Sequence, residues 1–184
     1  DVRGFGPLPP VVLLHGLSSA AVHYLPLVQW LRQSVQRVIV PDLPAHGFSE
    51  VPNSGANATT LRMGLREALD AVLTEAAVFF GNSMGGLAAI DYALHRPSRV
   101  IGLFLCSPGG AFHSEDELRQ TLDSFRIDTH RTALDFVDKV FARSPRLRHP
   151  IAWGLRKRFA DPVLRQLLAS VGPEDFLRPE QLGA

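Results

Sequence analysis

Apolar runs, each cut short by a turn signal, punctuate the first part of the chain. Residues 11–14 (Val-Val-Leu-Leu) run into His15-Gly16, and residues 37–40 (Arg-Val-Ile-Val) run into Pro41-Asp42. Residues 76–80 (Ala-Ala-Val-Phe-Phe) end at Gly81, and residues 100–105 (Val-Ile-Gly-Leu-Phe-Leu) end at Ser107-Pro108-Gly109-Gly110. None alternates apolar with polar. That pattern fits strands covered on both faces, as in a parallel sheet.

Between the runs the apolar spacing becomes helical. Pro26 suits a first-turn position, with Leu27, Trp30 and Leu31 behind it. Thr60 is a candidate cap for a helix carrying Leu61, Leu65, Leu69 and Val72 on one face. Residues 83–94 carry Leu87, Ile90 and Leu94, and Pro97 ends that helix. Strands and helices alternating at this rhythm predict an α/β fold: a doubly wound, mainly parallel sheet over residues 1–110.

The rhythm changes after Gly110, and residues 111–184 show no convincing strand. Ser114-Glu115-Asp116-Glu117 reads as a capping box, followed by Leu118, Leu122 and Phe125. Leu134, Val137 and Phe141 mark a second helix ending before Pro145. Asp161-Pro162 reads as a cap and a first-turn proline for a third, which Gly172-Pro173 terminates. Residues 111–184 are therefore expected to form a helical excursion on the α/β core.

Composition narrows the class. The 184 residues are 46% apolar and 20% charged, enough for a real core and too apolar for a disordered tail. The net charge of +1 gives no global field for nucleic acid. No apolar stretch approaches the ~20 residues of a membrane span. Cys106 is the sole cysteine, so no internal disulfide forms, and the expected location is cytoplasmic. The first residue is Asp1, and no charged-then-apolar signal segment follows it; the chain reads either as processed or as an excerpt from a longer one.

The chemistry concentrates in Gly81-Asn82-Ser83-Met84-Gly85-Gly86, a G-x-S-x-G motif between a strand and a helix. At that position the serine sits on a strained turn that exposes its hydroxyl above the sheet. Glycine at 81 and 85 avoids clashes with neighbouring backbone. The N-terminal amides of the following helix favour negative charge there, which places the Met84 N–H to receive an oxyanion. His15-Gly16-Leu17-Ser18-Ser19, after the first strand, can aim a second amide at the same point. His15 is expected to shape this loop by hydrogen bonds. Asp42 and His46, in the ordered loop Pro41–Ser49, are expected to brace it rather than to catalyse.

The series His15-Gly16, then Asp42-Leu43-Pro44-Ala45-His46-Gly47-Phe48-Ser49, then Gly81-Asn82-Ser83-Met84-Gly85-Gly86, resembles the α/β-hydrolase fold family over about residues 11–110. The elbow looks most like those of serine esterases, lipases and carbon–carbon bond hydrolases. The resemblance implies Ser83 as nucleophile, the Leu17 and Met84 amides as oxyanion hole, and residues 111–184 as an inserted lid. Serine at the elbow argues against dehalogenation and epoxide opening, which relatives perform with aspartate. No metal or organic cofactor is implied, and the expected substrate is a small-molecule apolar carbonyl compound, a medium-sized ester or a relative of one, because residues 111–184 supply many apolar side chains.

In that family the acid and the histidine follow the serine, on loops after later strands. His95, His113, His130 and His149 follow Ser83 here, and none stands after a strand in the expected way. The chain is thus expected to be a partial hydrolase core, inactive alone. A non-catalytic binding protein of the same fold is the competing reading. The strands at 37–40 and 100–105 would lie outermost and leave free edges, so self-association, or a segment that completes the sheet, is expected. Residues 143–158 hold Arg143, Arg146, Arg148, Arg156, Lys157 and Arg158 with no acid, and Ile151, Trp153 and Phe159 are interleaved. This stretch is either a solvated helix pair or a surface for anionic headgroups or an anionic substrate.

Overall fold

The structure is a computed structural model and describes residues 1–53, 55–111 and 114–182. Its strands are β1 (Val2–Arg3), β2 (Val11–Leu14), β3 (Arg37–Ile39), β4 (Ala77–Asn82) and β5 (Val100–Cys106). They form one sheet in the order β1-β3-β2-β4-β5. The pairs β3–β2, β2–β4 and β4–β5 are parallel, while β1 joins antiparallel with Val2 opposite Val38. The helices of the core are α1 (Leu25–Leu31), α2 (Ala58–Val72) and α3 (Met84–His95). The sheet is therefore mostly parallel and wound on both faces.

Side-chain alternation along β4 divides the core into two layers. Val12, Leu14, Ile39 and Phe79 pack with Leu65 and Leu69 of α2 and with Ala88, Ala89 and Tyr92 of α3. Phe79 stacks on Tyr92 with ring centroids 5.2 Å apart. The buried Tyr92 hydroxyl donates to Asp70 at 3.0 Å, and Arg96 grips the same carboxylate, so α2 and α3 are tied by polar as well as apolar contacts. Burial, reinforced by the bond to Asp70, pushes the Tyr92 phenol up to about 12. On the other face Leu13, Val28, Val35 and Val38 form a second cluster with Leu27 and Leu31 of α1.

Several details depart from the pattern reading. Asn57, not Thr60, caps α2: its Oδ1 accepts the Thr60 amide at 2.9 Å, and Thr60 Oγ1 accepts the Asn57 amide in return. Leu61, Leu65 and Leu69 are buried as expected, but Val72 is exposed at the end of that helix. Trp30 points to solvent while Val28 takes the core position of α1. The buried face of α3 is Gly85, Gly86, Ala88, Ala89 and Tyr92: the small residues of its first turns let the helix approach the sheet closely, and Tyr92 fills the space further along. Leu94 is exposed.

Two corrections concern the sheet edges. The strand at 37–40 does not lie outermost, because β1 covers it. At the opposite side β5 is the edge, and it is not covered on both faces: Ile101, Leu103, Phe104 and Leu105 are all exposed. Phe104 still stacks on Phe80 of β4, yet it is 65% accessible.

From Ser114 onward the described residues form helices: α4 (Glu115–Ser124), α5 (His130–Val140), α6 (Arg148–Phe159), α7 (Pro162–Ser170) and the short α8 (Pro179–Leu182). Ser114 accepts the Glu117 amide at 3.2 Å, and Asp161 caps α7 by accepting from Val163 at 2.8 Å. These helices share a core of Ile127, Ala133, Val137, Ala152, Phe159, Leu164 and Leu167, with Leu61 of α2 contributed from below. Two ties return this segment to the α/β core. Arg62 of α2 bonds the buried Asp175 carboxylate at 2.7 Å, and the Leu177 amide donates to the Gly110 carbonyl at 2.9 Å.

Candidate active site

Ser83 is the bend between β4 and α3. Its backbone stands at φ 52° and ψ −118°, a conformation that L-residues rarely adopt and that costs about 1–3 kcal/mol. Neighbouring backbone holds it there. The Ser83 amide donates to the Cys106 carbonyl at 3.1 Å, and the Ser83 carbonyl accepts from Gly86 at 2.9 Å and from Gly109 at 2.8 Å. Glycine is required around it by space. A Cβ on Gly81 would stand 2.5 Å from the Gly85 carbonyl oxygen, and one on Gly85 would overlap the Leu14 carbonyl.

The strain is not isolated. Four described non-glycine residues have positive φ: Ser18, Ala45, Ser83 and Ser107. Each follows the C-terminal end of one of the parallel strands β2, β3, β4 and β5. Backbone strain concentrates where function over-determines geometry, and open α/β sheets bind ligands at the carboxyl ends of their strands. The two rules select the same end of this molecule.

Two loops meet the elbow at Ser83. Gly16, after β2, lies so near that a Cβ there would be 3.3 Å from the Ser83 Cβ and 3.0 Å from Asn82 Oδ1. The next residue, Leu17, borders the same cavity as Ser83 and Met84. Among the described residues neither the Leu17 nor the Met84 amide donates a hydrogen bond, so both remain available to an acceptor. The second loop, Pro108-Gly109-Gly110, presses on the elbow: a Cβ on Gly86 would be 2.7 Å from the Pro108 Cβ. From the pattern along the chain this run reads only as the end of a strand. Its proline and paired glycines directly after an apolar strand are the signal that marks it.

His15 is fully buried behind this loop. Its Nδ1–H donates to the Gly16 carbonyl at 2.9 Å, and its Nε2 accepts the Leu43 amide at 3.0 Å. Both nitrogens are occupied, which fixes the neutral tautomer. Burial pushes its pKa below the ordinary value, so the 3.8 Å approach to Asp42 is not an ion pair at neutral pH. Asp42 instead ties the loops, accepting from the Ala21 amide at 2.6 Å and the Phe48 amide at 3.0 Å. Burial pushes its carboxyl up, but those amides and the neighbouring imidazoles together bring it below the usual range.

His46 is also buried and also held neutral, chiefly by burial. Its Nδ1–H donates to the Pro44 carbonyl at 3.0 Å, and its Nε2 has no partner among the described residues. It faces a cavity of about 10 Å³ bordered by Arg158 and Asp161.

Ser83 lies against a cavity of about 740 Å³ between the strand ends and the helical segment. Leu61, Leu65, Leu118, Phe125 and Leu167 supply apolar wall, and Arg62 and Lys139 are among its polar residues. That volume suits a drug-sized ligand with an apolar body. No histidine borders the cavity among the described residues. His95 is exposed at the far end of α3, bonded to the Asp91 carbonyl. His130 and His149 bond one another at 3.0 Å across α5 and α6. His113 lies outside the described residues.

Comparisons with known proteins agree with this geometry. The chain is 38% identical over 109 residues to the pimeloyl-[acyl-carrier protein] methyl ester esterase of Xanthomonas campestris, a match covering 59% of this chain and 40% of that protein. It is 31% identical over 105 residues to an uncharacterised protein of Mycobacterium tuberculosis, covering 57% of this chain and 30% of the other. The matches thus span well under half the length of these curated relatives. Among solved structures, the 2-hydroxy-6-oxo-6-phenylhexa-2,4-dienoate hydrolase of Rhodococcus sp. strain RHA1 superposes with a TM-score of 0.77 at 22% identity, over 98% of this chain and 70% of that one. The sequence profile of the alpha/beta hydrolase fold matches residues 9–173, most of the chain. With the strained elbow, the mostly parallel sheet and this match in agreement, the chain belongs to the alpha/beta hydrolase fold family.

Proposed function

We propose that this chain carries the nucleophile half of a serine hydrolase that cleaves a medium-sized apolar ester through an acyl-enzyme on Ser83. The supporting observation is the position of Ser83: a strained bend against an apolar cavity, with two unengaged amides nearby. Ser83 Oγ attacks the carbonyl carbon while its proton passes to a general base. The tetrahedral oxyanion rests on the Leu17 and Met84 amides, and the alcohol departs with the proton. Water then repeats the sequence and releases the acid. Residues 111–184 act as the lid that closes the cavity.

His15 does not serve as the base, because its nitrogens are already bonded to Gly16 and Leu43. In this reading the base and the acid come from outside these residues, and the chain alone is inactive. Ester cleavage is preferred to carbon–carbon cleavage because the Xanthomonas relative is named as a methyl ester esterase. No cofactor enters the mechanism. A cytoplasmic location belongs to the same proposal. Among the described residues no helix is long and apolar enough to cross a membrane.

Fluorophosphonate labelling of the native protein tests the reading. Ser83 is expected to be labelled and Ser83→Ala to abolish it; labelling that survives the substitution refutes the assignment. The absence of a histidine at the cavity favours a second reading, a binding protein with the same fold. It predicts ligand binding unchanged by Ser83→Ala and no turnover by the native protein.

A further inference from the structure

The surface formed by the end of α5, the 140–147 turn and α6 combines two features that rarely stay together in water. The first is apolar. Val140, Phe141, Leu147 and Trp153 are exposed, although the opposite side of α6 is well used: Ala152 and Phe159 are buried, and Ile151 and Leu155 pack on the helical core. The second is charge. Residues 143–158 carry Arg143, Arg146, Arg148, Arg156, Lys157 and Arg158 and no acid. Arg148 pairs with Asp138 at 3.5 Å, whereas Arg143, Arg146, Arg156 and Lys157 form no ion pair among the described residues.

The two features share a face. On α6, His149, Trp153, Arg156 and Lys157 recur at helical spacing along the solvent side. The Lys157 ammonium stands 5.8 Å from the centre of the Trp153 ring. The patch also adjoins the catalytic cavity, since Lys139, which borders that cavity, immediately precedes Val140 and Phe141.

A polyanion such as nucleic acid answers only the charge and leaves Phe141, Leu147 and Trp153 in water. A bilayer answers both: aromatic and aliphatic side chains enter the headgroup boundary while Arg and Lys extend to anionic phosphates. We propose that this face docks peripherally on a membrane surface carrying anionic phospholipid, and that the adjoining cavity takes an acyl ester dissolved in that membrane. The second clause rests on the hydrolase reading of Ser83; the docking does not.

The test is co-flotation of the full chain with vesicles of phosphatidylcholine alone and of phosphatidylcholine mixed with phosphatidylglycerol. A Trp30→Phe background makes Trp153 the only tryptophan and its emission a reporter. The expected result is flotation with the mixed vesicles only, weakened by salt, with a blue shift of Trp153. Charge reversal at Arg143, Arg146 and Lys157 lowers partitioning by about fivefold or more per site. Trp153→Ala lowers it without changing the salt dependence, and Ser83→Ala leaves it intact even if the hydrolase reading fails. Equal flotation with neutral vesicles, undiminished flotation of the charge-reversed protein, or binding of duplex DNA in preference to vesicles with no shift of Trp153 would each overturn the proposal.

Discussion

Gly16 and Ser83 approach so closely that a Cβ on Gly16 would stand 3.3 Å from the Ser83 Cβ. The two belong to loops far apart in sequence, after β2 and β4, which pair as parallel neighbours in the sheet. Gly16→Val therefore displaces the loop carrying the Leu17 amide. Where that amide is an oxyanion donor, the rate of fluorophosphonate labelling falls by roughly 10²–10³. The check is the labelling rate of the native protein beside its urea midpoint. A normal rate in a folded variant removes Leu17 from the site.

Glycines in the fold separate into two classes with opposite expected effects. Gly85→Ala pushes a methyl group into the Leu14 carbonyl and destabilises by about 1–3 kcal/mol, as overpacking does. Gly154, inside α6, has open space around its Cβ position, so Gly154→Ala stabilises by about 0.4–1 kcal/mol. Urea denaturation of both variants measures the contrast.

His15 and His46 make stability depend on pH below neutrality. Burial lowers both from the ordinary 6.5, so between their folded values and 6.5 the unfolded chain binds more protons than the native one. Stability from these groups is complete above pH 6.5 and is lost as pH falls below it, by at most about 1.4 kcal/mol per pH unit for each histidine. The lowered Asp42 acts with the same sign in a more acidic window. Urea midpoints from pH 7.5 downward follow the loss, and His46→Gln flattens the curve. A midpoint constant from neutrality down to the carboxylate range would show these imidazoles to be solvated.

The free edge at β5 predicts association. Ile101, Leu103, Phe104 and Leu105 lie exposed on a strand with one hydrogen-bonded neighbour, an arrangement that pairs readily with another chain. The chain is expected to sediment as larger species, and Phe104→Lys to shift it toward a monomer. A stable compact monomer of the unaltered chain counts against this.

Local pattern was enough for most elements. Apolar runs located β2 to β5 within a residue or two, and Asp161-Pro162 located the start of α7, because strand preference and capping depend on neighbours along the chain. The elbow was legible for the same reason: its glycines are demanded by a bend only a few residues long. What required the fold was every relationship made through space. The antiparallel cover of β3 by β1, the exposure of β5 and the small-residue face of α3 each depend on which element arrives alongside. So does the buried role of His15, whose hydrogen-bond partner Leu43 comes from the next loop. The convergence of Ser18, Ala45, Ser83 and Ser107 at one end of the sheet follows from parallel pairing alone, since strands running the same way bring all their exits to the same side.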